Sequence, residues 1–216
     1  MNETNLKKRI YTSIILLSLV YLIFNFNLVQ VYFLIIFGVL SIIEFLQIAK
    51  KIFKGTLSYI ISNLFFIIYI FIFCFMFFFF SNLHSLKSIL FIFLMGCIAS
   101  DIGGFILGKI FKGPKLTKIS PNKTYSGSFG SIILTMIVMG LLFYYFFQTL
   151  NLKMIFIAII TSIFCQIGDL IISLFKRKAK IKDTGKFLPG HGGVLDRVDG
   201  ILLGIPFGFV TLMLLN

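Results

Sequence analysis

Seven runs of apolar residues divide this chain, and each is long enough to cross the roughly 30 Å hydrocarbon core of a bilayer as a helix. The runs lie near residues 10–27, 28–48, 58–80, 86–108, 129–149, 154–176 and 199–215. Hydrophobic residues make up 59% of the 216, and only 12% are charged, a balance that a water-soluble domain does not have. The sequence therefore predicts an all-α integral membrane protein, a polytopic bundle of about seven transmembrane helices.

The positive charges are distributed unevenly among the segments that join these runs. Eighteen of the twenty Lys and Arg lie in or beside alternate segments, namely 1–9, 49–57, 109–128 and 177–198. Only Lys87 and Lys153 lie on the opposite side. Because cytoplasmic loops are enriched in Lys and Arg, we expect a cytoplasmic N-terminus in the cell (inner) membrane. The net charge of +13 then needs no nucleic acid partner, and basic loops at this surface attract anionic lipid head groups and nucleotides.

The chain shows no internal repeat and no linker, so we interpret residues 1–216 as a single membrane domain. Residues 1–85 would supply scaffold helices, and 86–216 the catalytic helices with their cytoplasmic loops. The first run is followed by no small-residue cleavage site, so we expect it to be retained. The three cysteines lie within apolar runs without metal-ligand spacing, which supports neither a disulfide framework nor a zinc site.

One acidic residue, Glu44, lies within the first three apolar runs. The sequence leaves two interpretations open. The carboxylate could face the bundle interior as a functional acid, or it could lie near the interface and pair with Lys50 or Lys51. We assign it a supporting role.

The composition changes between residues 96 and 130. Asp101 lies within a membrane run, and the nearby Gly104 and Gly108 are four residues apart, a spacing that permits close helix approach. The stretch SPNKTYSG that follows is typical of an ordered turn, although a merely solvated basic loop is the alternative. We include Asp101 and Lys123 among the expected substrate-binding residues.

The sixth run ends in CQIGDLIISLFKRKAK, which places four polar side chains on one helical stripe. These side chains are Asp169, Ser173, Lys176 and Arg177. An acid within a membrane span is costly, so we interpret Asp169 as functional rather than as a buried partner for a neighbouring cation.

The seventh run follows the sequence LDRVDG, which places Asp196 and Asp199 at or just before a helix start, where carboxylates are favoured. Three glycines then recur at intervals of four, namely Gly200, Gly204 and Gly208. This glycine ridge predicts close packing, most naturally on the helix that carries Asp169. The sequence leaves open whether the ridge serves packing within one chain or a homodimer contact.

The end of the chain combines the groups that phosphate chemistry needs. If the sixth and seventh helices are neighbours, Asp169, Asp196 and Asp199 meet at the cytoplasmic surface as oxygen ligands for Mg²⁺. The sequence leaves open whether a second cation binds with it. The cations available for phosphate are Lys176, Arg177, Lys178, Lys180, Lys182, Lys186 and Arg197. His191 is surrounded by Gly190, Gly192 and Gly193. These glycines would let backbone N–H groups approach an anion. These features predict phosphoryl or nucleotidyl transfer at a membrane surface.

The same residues resemble the C-terminal signature of the phosphatidate cytidylyltransferases, also called CDP-diacylglycerol synthases. The matching positions are Ser173, Lys176, Arg177, Lys182, Asp183, Gly185, Leu188, Pro189, His191, Gly192, Gly193, Asp196, Arg197 and Asp199. Upstream, QIGDLIISLFKR, SDIGGFILGKIF and KLTKISPNKTYSGSFG are also similar to the family. One departure is Tyr125-Ser126, where the family usually has Trp-Glu, and the N-terminal region is shorter than in many members.

The resemblance implies a membrane nucleotidyltransferase of phospholipid biosynthesis that converts CTP and phosphatidate into CDP-diacylglycerol and pyrophosphate with Mg²⁺. It carries metal binding over to Asp169 and Asp196, with Asp199 as a further ligand or orienting group. Phosphate handling is carried over to Ser173, Lys176, Arg177, Lys182, His191 and Arg197.

Two alternatives stay open from the sequence. The chain could be a CTP-dependent enzyme acting on another lipid, either a different CDP-lipid synthase or a polyprenol kinase. It could instead be an ion-coupled transporter with Asp101 and Asp169 along the path. The densest polar motif lies at one membrane face rather than at the midplane, and this favours an enzyme.

Overall fold

The computed structural model describes residues 18, 20–117, 119–121, 123–148, 151–185, 187 and 192–215. These residues form six long helices: α1 (Asn27–Ile52), α2 (Thr56–Asn82), α3 (His84–Phe111), α4 (Tyr125–Phe147), α5 (Leu152–Lys178) and α6 (Leu195–Leu215). All six are long and apolar enough to cross a membrane, which confirms the predicted all-α membrane fold. The first predicted run lies mostly outside the described residues, and its last part, residues 20–25, is helical. The cytoplasmic N-terminus stays a prediction.

Several helices extend past their apolar runs into basic residues. The last turn of α1 contains Lys50 and Lys51, and α5 ends with Lys176, Arg177 and Lys178. Hydropathy detects only the lipid-immersed part of a helix, whereas cations at its C-terminus interact favourably with the backbone dipole. The helices can therefore continue into water beyond the apolar runs.

The described chain divides into two compact units, which we treat separately. The first unit, here the loop unit, comprises the residues up to Asn82 together with Phe175–Arg197. In it α1 packs on α2 through aromatic rings, and Phe45 stacks on Phe66 with ring centroids 3.9 Å apart. Phe175, at the end of α5, meets the ring of Phe45 edge-on at 5.6 Å. We call residues 179–194, between α5 and α6, the signature loop. The contact of Phe175 with Phe45 holds the end of α5, just before this loop, against α1.

The second unit, here the glycine unit, comprises Leu83–Leu174 and Val198–Asn216. In it α3 and α4 approach so closely that a Cβ on Gly130 would lie 2.7 Å from the carbonyl oxygen of Gly103. A Cβ on Gly104 would meet the Ser131 hydroxyl, and one on Gly108 would meet the backbone of Gly127. The prediction that Gly104 and Gly108 allow close helix approach is confirmed.

Hydroxyl groups supplement this packing in the glycine unit. Ser131 Oγ donates to the carbonyl oxygen of Ser100 at 2.7 Å, and the hydroxyls of Ser100 and Ser162 lie 3.0 Å apart. All three side chains are buried. Small hydroxyl side chains of this kind join helices in a membrane because they satisfy their hydrogen bonds without separating the backbones.

The predicted glycine ridge of α6 packs on α5 and α3. A Cβ on Gly200 would lie 2.5 Å from Cys165 Sγ, and one on Gly204 would lie 2.7 Å from Cys97 Sγ. A Cβ on Gly208 would lie 2.7 Å from Thr161 Oγ1. The predicted contact between α6 and the helix that carries Asp169 is confirmed, and the ridge serves packing within the chain. Homodimer formation stays a prediction, without support from this ridge.

We expect Gly130→Ala to destabilise the glycine unit, because its Cβ would overlap backbone and side-chain atoms of α3. Overpacking of this kind costs on the order of 1–3 kcal/mol, which exceeds the gain in helix propensity. The chain has no Trp, but Cys97 and Cys165 are buried, so a thiol-reactive dye can follow thermal unfolding of the purified protein.

The matched control is Gly140→Ala on the same helix, where an added Cβ has no neighbour within 4 Å. Its unfolding temperature should equal or exceed that of the wild type, whereas Gly130→Ala should unfold several degrees lower. Equal unfolding temperatures for the two variants would contradict the packing argument.

Candidate functional site

Asp196, in the first turn of α6, is surrounded by donors from the signature residues. Its Oδ1 accepts a hydrogen bond from Lys176 Nζ at 2.6 Å. Its Oδ2 accepts from the backbone N–H groups of Thr184 at 2.8 Å and Gly193 at 3.2 Å. The side chain is only 7% exposed. The carboxylate is therefore held in one orientation, and a lysine ammonium balances its charge.

A second carboxylate, that of Glu44 in α1, lies at the start of α6. Its Oε1 accepts from the N–H of Val194, and its Oε2 accepts from the N–H of Leu195, both at 2.9 Å. Oε2 also accepts from Thr184 Oγ1 at 2.7 Å. The first N–H groups of a helix have no partner within it, and the N-terminal end of the helix dipole favours a negative charge. Glu44 therefore caps α6 from another helix.

The structure decides between the two interpretations of Glu44. The side chain is fully buried and faces the loop unit's interior. In the described part of the chain it forms no salt bridge with Lys50 or Lys51, which are both exposed. The supporting role is that of a structural acid beneath the signature loop.

The start of α6 differs from the sequence prediction. The helix begins at Leu195, so Asp196 lies in its first turn as expected, whereas Asp199 lies one turn inside. The prediction that Asp199 lies at or before the helix start is therefore wrong. Glu44 supplies the acceptors for the N–H groups of Val194 and Leu195, so the helix can begin upstream of Asp199. Asp199 belongs to the glycine unit, and its Oδ1 accepts from the N–H of Gly200.

Thr184 joins the two carboxylates of the loop unit. Its hydroxyl lies 2.7 Å from Oε2 of Glu44 and 3.0 Å from Oδ2 of Asp196. The residue is buried, and no sequence motif singled it out. Its position makes the orientation of Asp196 depend on that of Glu44. We refer to Glu44, Thr184 and Asp196 as the carboxylate relay.

The signature glycines fit around this relay. An added Cβ on Gly193 would meet the Thr184 hydroxyl and Glu44, and one on Gly185 would meet the Glu44 carboxyl group. Gly192 has a φ of +84°, a conformation that favours glycine. The N–H of Gly193 is used by Asp196, so the close approach seen here is to protein carboxylates. Substrate binding by Gly192 and Gly193 stays a prediction, and Gly190 and His191 lie outside the described residues.

Asp169 forms a second polar cluster, within the glycine unit. Its Oδ2 pairs with Lys123 Nζ, and its Oδ1 accepts from Ser173 Oγ at 3.2 Å. Asp169 and Ser173 thus share one helical stripe, as predicted. The loop that carries Lys123 is ordered by the bond from the N–H of Leu116 to the Lys123 carbonyl and by Thr124, which caps α4. Among the described residues of this stretch, these hydrogen bonds favour the predicted ordered turn over the solvated alternative.

At the departure Tyr125-Ser126, the serine hydroxyl takes part in two local contacts. Ser126 Oγ donates to the carbonyl oxygen of Lys112 at the end of α3, and it lies 3.0 Å from Thr124 Oγ1. The ring of Tyr125 is half exposed. In this chain position 126 closes the loop between α3 and α4 and contributes no charge.

The remaining predicted residues are placed as follows. Asp101 lies on an exposed part of α3, and Cys165 Sγ lies 4.0 Å from its Oδ1. Among the predicted phosphate-handling residues, Arg177, Lys182 and Arg197 are exposed. Their predicted role in binding phosphate stays a prediction.

The donor chemistry of the two clusters fits Mg²⁺ in part. Asp169 and Asp196 offer hard carboxylate oxygens, and each already balances one positive charge from a lysine. Within the described ranges no three His, Cys, Asp or Glu side chains converge as a metal site. The joint magnesium site of Asp169, Asp196 and Asp199 therefore stays a prediction.

Comparison with known proteins gives a consistent result. A model of the cytidylyltransferase family matches residues 2–215. A phosphatidate cytidylyltransferase of Rickettsia typhi is 34% identical over 216 residues, which cover 96% of this chain and 92% of that protein. The phosphatidate cytidylyltransferases of Staphylococcus haemolyticus and Staphylococcus saprophyticus are each 42% identical over 123 residues, 56% of this chain. These matches span about half the length of the staphylococcal relatives, 47% in each case.

We expect Glu44→Gln to loosen the segment around residues 179–195. A Gln amide places an N–H₂ group where the carboxylate accepts three hydrogen bonds, and an unsatisfied buried donor costs on the order of 1–3 kcal/mol. Limited trypsin digestion should cut the variant faster after Lys180 and Lys182. Cleavage after Lys112 and Lys115, in the other unit, serves as the internal control and should not change. Uniform acceleration at both segments would indicate general unfolding instead.

Proposed function

Because the chain belongs to the cytidylyltransferase family, we propose that it transfers the cytidylyl group of CTP to phosphatidate. The products are CDP-diacylglycerol and pyrophosphate. The observation that carries the proposal is the convergence of Lys176, Thr184 and Gly193 on the buried carboxylate of Asp196. All four residues belong to the stretch of chain that carries the family signature.

The chemistry requires two anions to approach each other. A phosphate oxygen of phosphatidate attacks the α-phosphorus of CTP, a new P–O bond forms, and the bond to the β-phosphate breaks as pyrophosphate leaves. The attacking oxygen is already negatively charged, so no side chain has to remove a proton from it. The enzyme contributes mainly by positioning the substrates and reducing their electrostatic repulsion.

The lysines paired with the two carboxylates are suited to this task. Lys176 is held by Asp196, and Lys123 by Asp169, so both ammonium groups are oriented before substrate binds. Preorganised charges of this kind stabilise a phosphoryl transition state without reorganisation during the reaction. Ser173 donates to Asp169 and fixes the orientation of that carboxylate.

Asp169 and Asp196 are the residues that would hold Mg²⁺, which when bound supplies further neutralisation of phosphate charge. Asp199 would assist them as an additional ligand or orienting group. We place the reaction at the cytoplasmic face of the cell membrane, where the basic segments would meet CTP while the acyl chains stay in the bilayer. CTP, phosphatidate and membrane lipids are the proposed partners.

The first test is an assay of the purified chain with labelled CTP, phosphatidate and Mg²⁺. We expect labelled lipid and pyrophosphate in equal amounts. Asp196→Asn and Asp169→Asn should each reduce kcat at least about a hundredfold, because each removes a charge that orients a lysine. Both variants should remain folded in the dye assay.

Glu3→Gln makes the same chemical change outside all motifs and should retain normal turnover. If the wild type yields CDP and a phosphorylated lipid, the enzyme is a kinase and the proposed transfer is wrong. Near-normal turnover in either Asp variant would contradict the assigned role of that carboxylate.

Lys123→Ala should have a milder effect than the Asp variants. It removes a cation from the glycine unit and leaves Asp169 without its ion-pair partner. We expect a higher KM for CTP, by roughly tenfold for one lost charged contact, with a smaller change in kcat. Lys123→Arg should restore part of the affinity because the charge is kept. A CTP titration equal to that of the wild type would remove this loop from the substrate site.

A further inference from the structure

The loop unit contains a cleft beside the carboxylate relay that the family signature does not account for. Its volume is about 590 Å³, within the roughly 300–1,000 Å³ range of small-molecule sites. Gln47 and Lys51 of α1 form one side, and residues 181–185 with Phe187 form the other. The α1 side of the cleft lies outside the signature.

The charges in the cleft favour an anionic ligand. Lys51 and Lys182 both line it, and Asp183 is the single acid among its lining residues. All three side chains are exposed to solvent, as is Gln47. The cleft also lies at the C-terminal end of α1 and in a polar loop, where a water-soluble ligand has direct access. A lysine can bind phosphate oxygens, and the Gln47 amide can both donate and accept a hydrogen bond.

The cleft is connected to the relay through one residue. Thr184 lines it, and the same residue donates its backbone N–H to Asp196, while its hydroxyl lies within hydrogen-bond distance of both relay carboxylates. A ligand in the cleft therefore lies one residue away from the carboxylate of Asp196. A substrate whose phosphate chain reaches the reaction centre must bind next to this carboxylate.

We propose that this cleft binds CTP, with Lys51 and Lys182 contacting the triphosphate and Gln47 hydrogen-bonding the nucleoside. The inference rests on the proposed function and extends it, because it assigns nucleotide binding to α1. The phosphatidate head group carries the same phosphate chemistry. The cleft suits the nucleotide better because five polar side chains line it at a helix end and in a loop, where no acyl chain has to be accommodated.

The test is equilibrium binding of CTP to the purified full-length chain in Mg²⁺ without lipid, measured by calorimetry. Lys51→Ala should raise the Kd about tenfold, as expected for one charge-assisted contact, and Gln47→Ala should raise it about threefold. Lys51→Arg should recover most of the affinity. Lys54→Ala is the matched control, because it removes the same charge just beyond α1 and does not line the cleft. Its Kd should stay within about twofold.

The outcomes separate this inference from the proposed reaction. If Lys51→Ala and Lys54→Ala lose the same CTP affinity, the assignment of CTP to the cleft is wrong, because general electrostatic attraction would then explain the loss. A raised KM for phosphatidate with an unchanged Kd for CTP would assign the cleft to the lipid head group and also overturn the inference. If the wild type makes CDP-diacylglycerol but both cleft variants bind CTP normally, the cleft assignment fails and the reaction stands. If CTP binding falls as expected but no CDP-diacylglycerol forms, the cleft stands and the reaction fails.

Discussion

The buried carboxylate of Glu44 is the interaction on which the signature loop depends. It lies in a span of apolar residues, where an unpaired charge would cost several kcal/mol, and it is tolerated because both oxygens accept hydrogen bonds. Those bonds come from the first N–H groups of α6 and from Thr184, so one side chain sets where α6 begins and where the loop folds back. Gly185 and Gly193 then allow the backbone to approach the carboxylate.

The polar groups of the protein follow one pattern in both units. Two of the acids that we assign to the reaction are each paired with a lysine, Asp196 with Lys176 and Asp169 with Lys123. Such pairs stabilise a fold little, because desolvation offsets the attraction. These ion pairs instead orient the lysine side chains. An ammonium group that is already oriented needs no rearrangement when a phosphate binds. In the proposed reaction, these acids would position cations for two anionic substrates.

Much of the fold could be predicted from the sequence, because lipid requires every spanning segment to be apolar and helical. Six runs reappear as helices, and the glycine spacings in α3 and α6 correctly indicate close packing. The sequence could also predict that Asp169 and Ser173 share one helical face, because helical periodicity is a local property. The turn around Lys123 could be predicted because turn chemistry is local as well. The start of α6 could not be predicted, because the residue that caps it, Glu44, lies about 150 positions away in the chain.

The sequence by itself determined the membrane class, the helices and the residue types needed for phosphate chemistry, because hydropathy, periodicity and motif spacing are properties of neighbouring residues. Only the tertiary structure decided which donors meet which carboxylates. Thr184 carries no motif that marks it, yet it joins Glu44 to Asp196, and Gly193 uses its N–H on Asp196 instead of leaving it for a ligand. These contacts join α1, the loop and α6, and distances between such remote segments are set by packing, which no local pattern encodes.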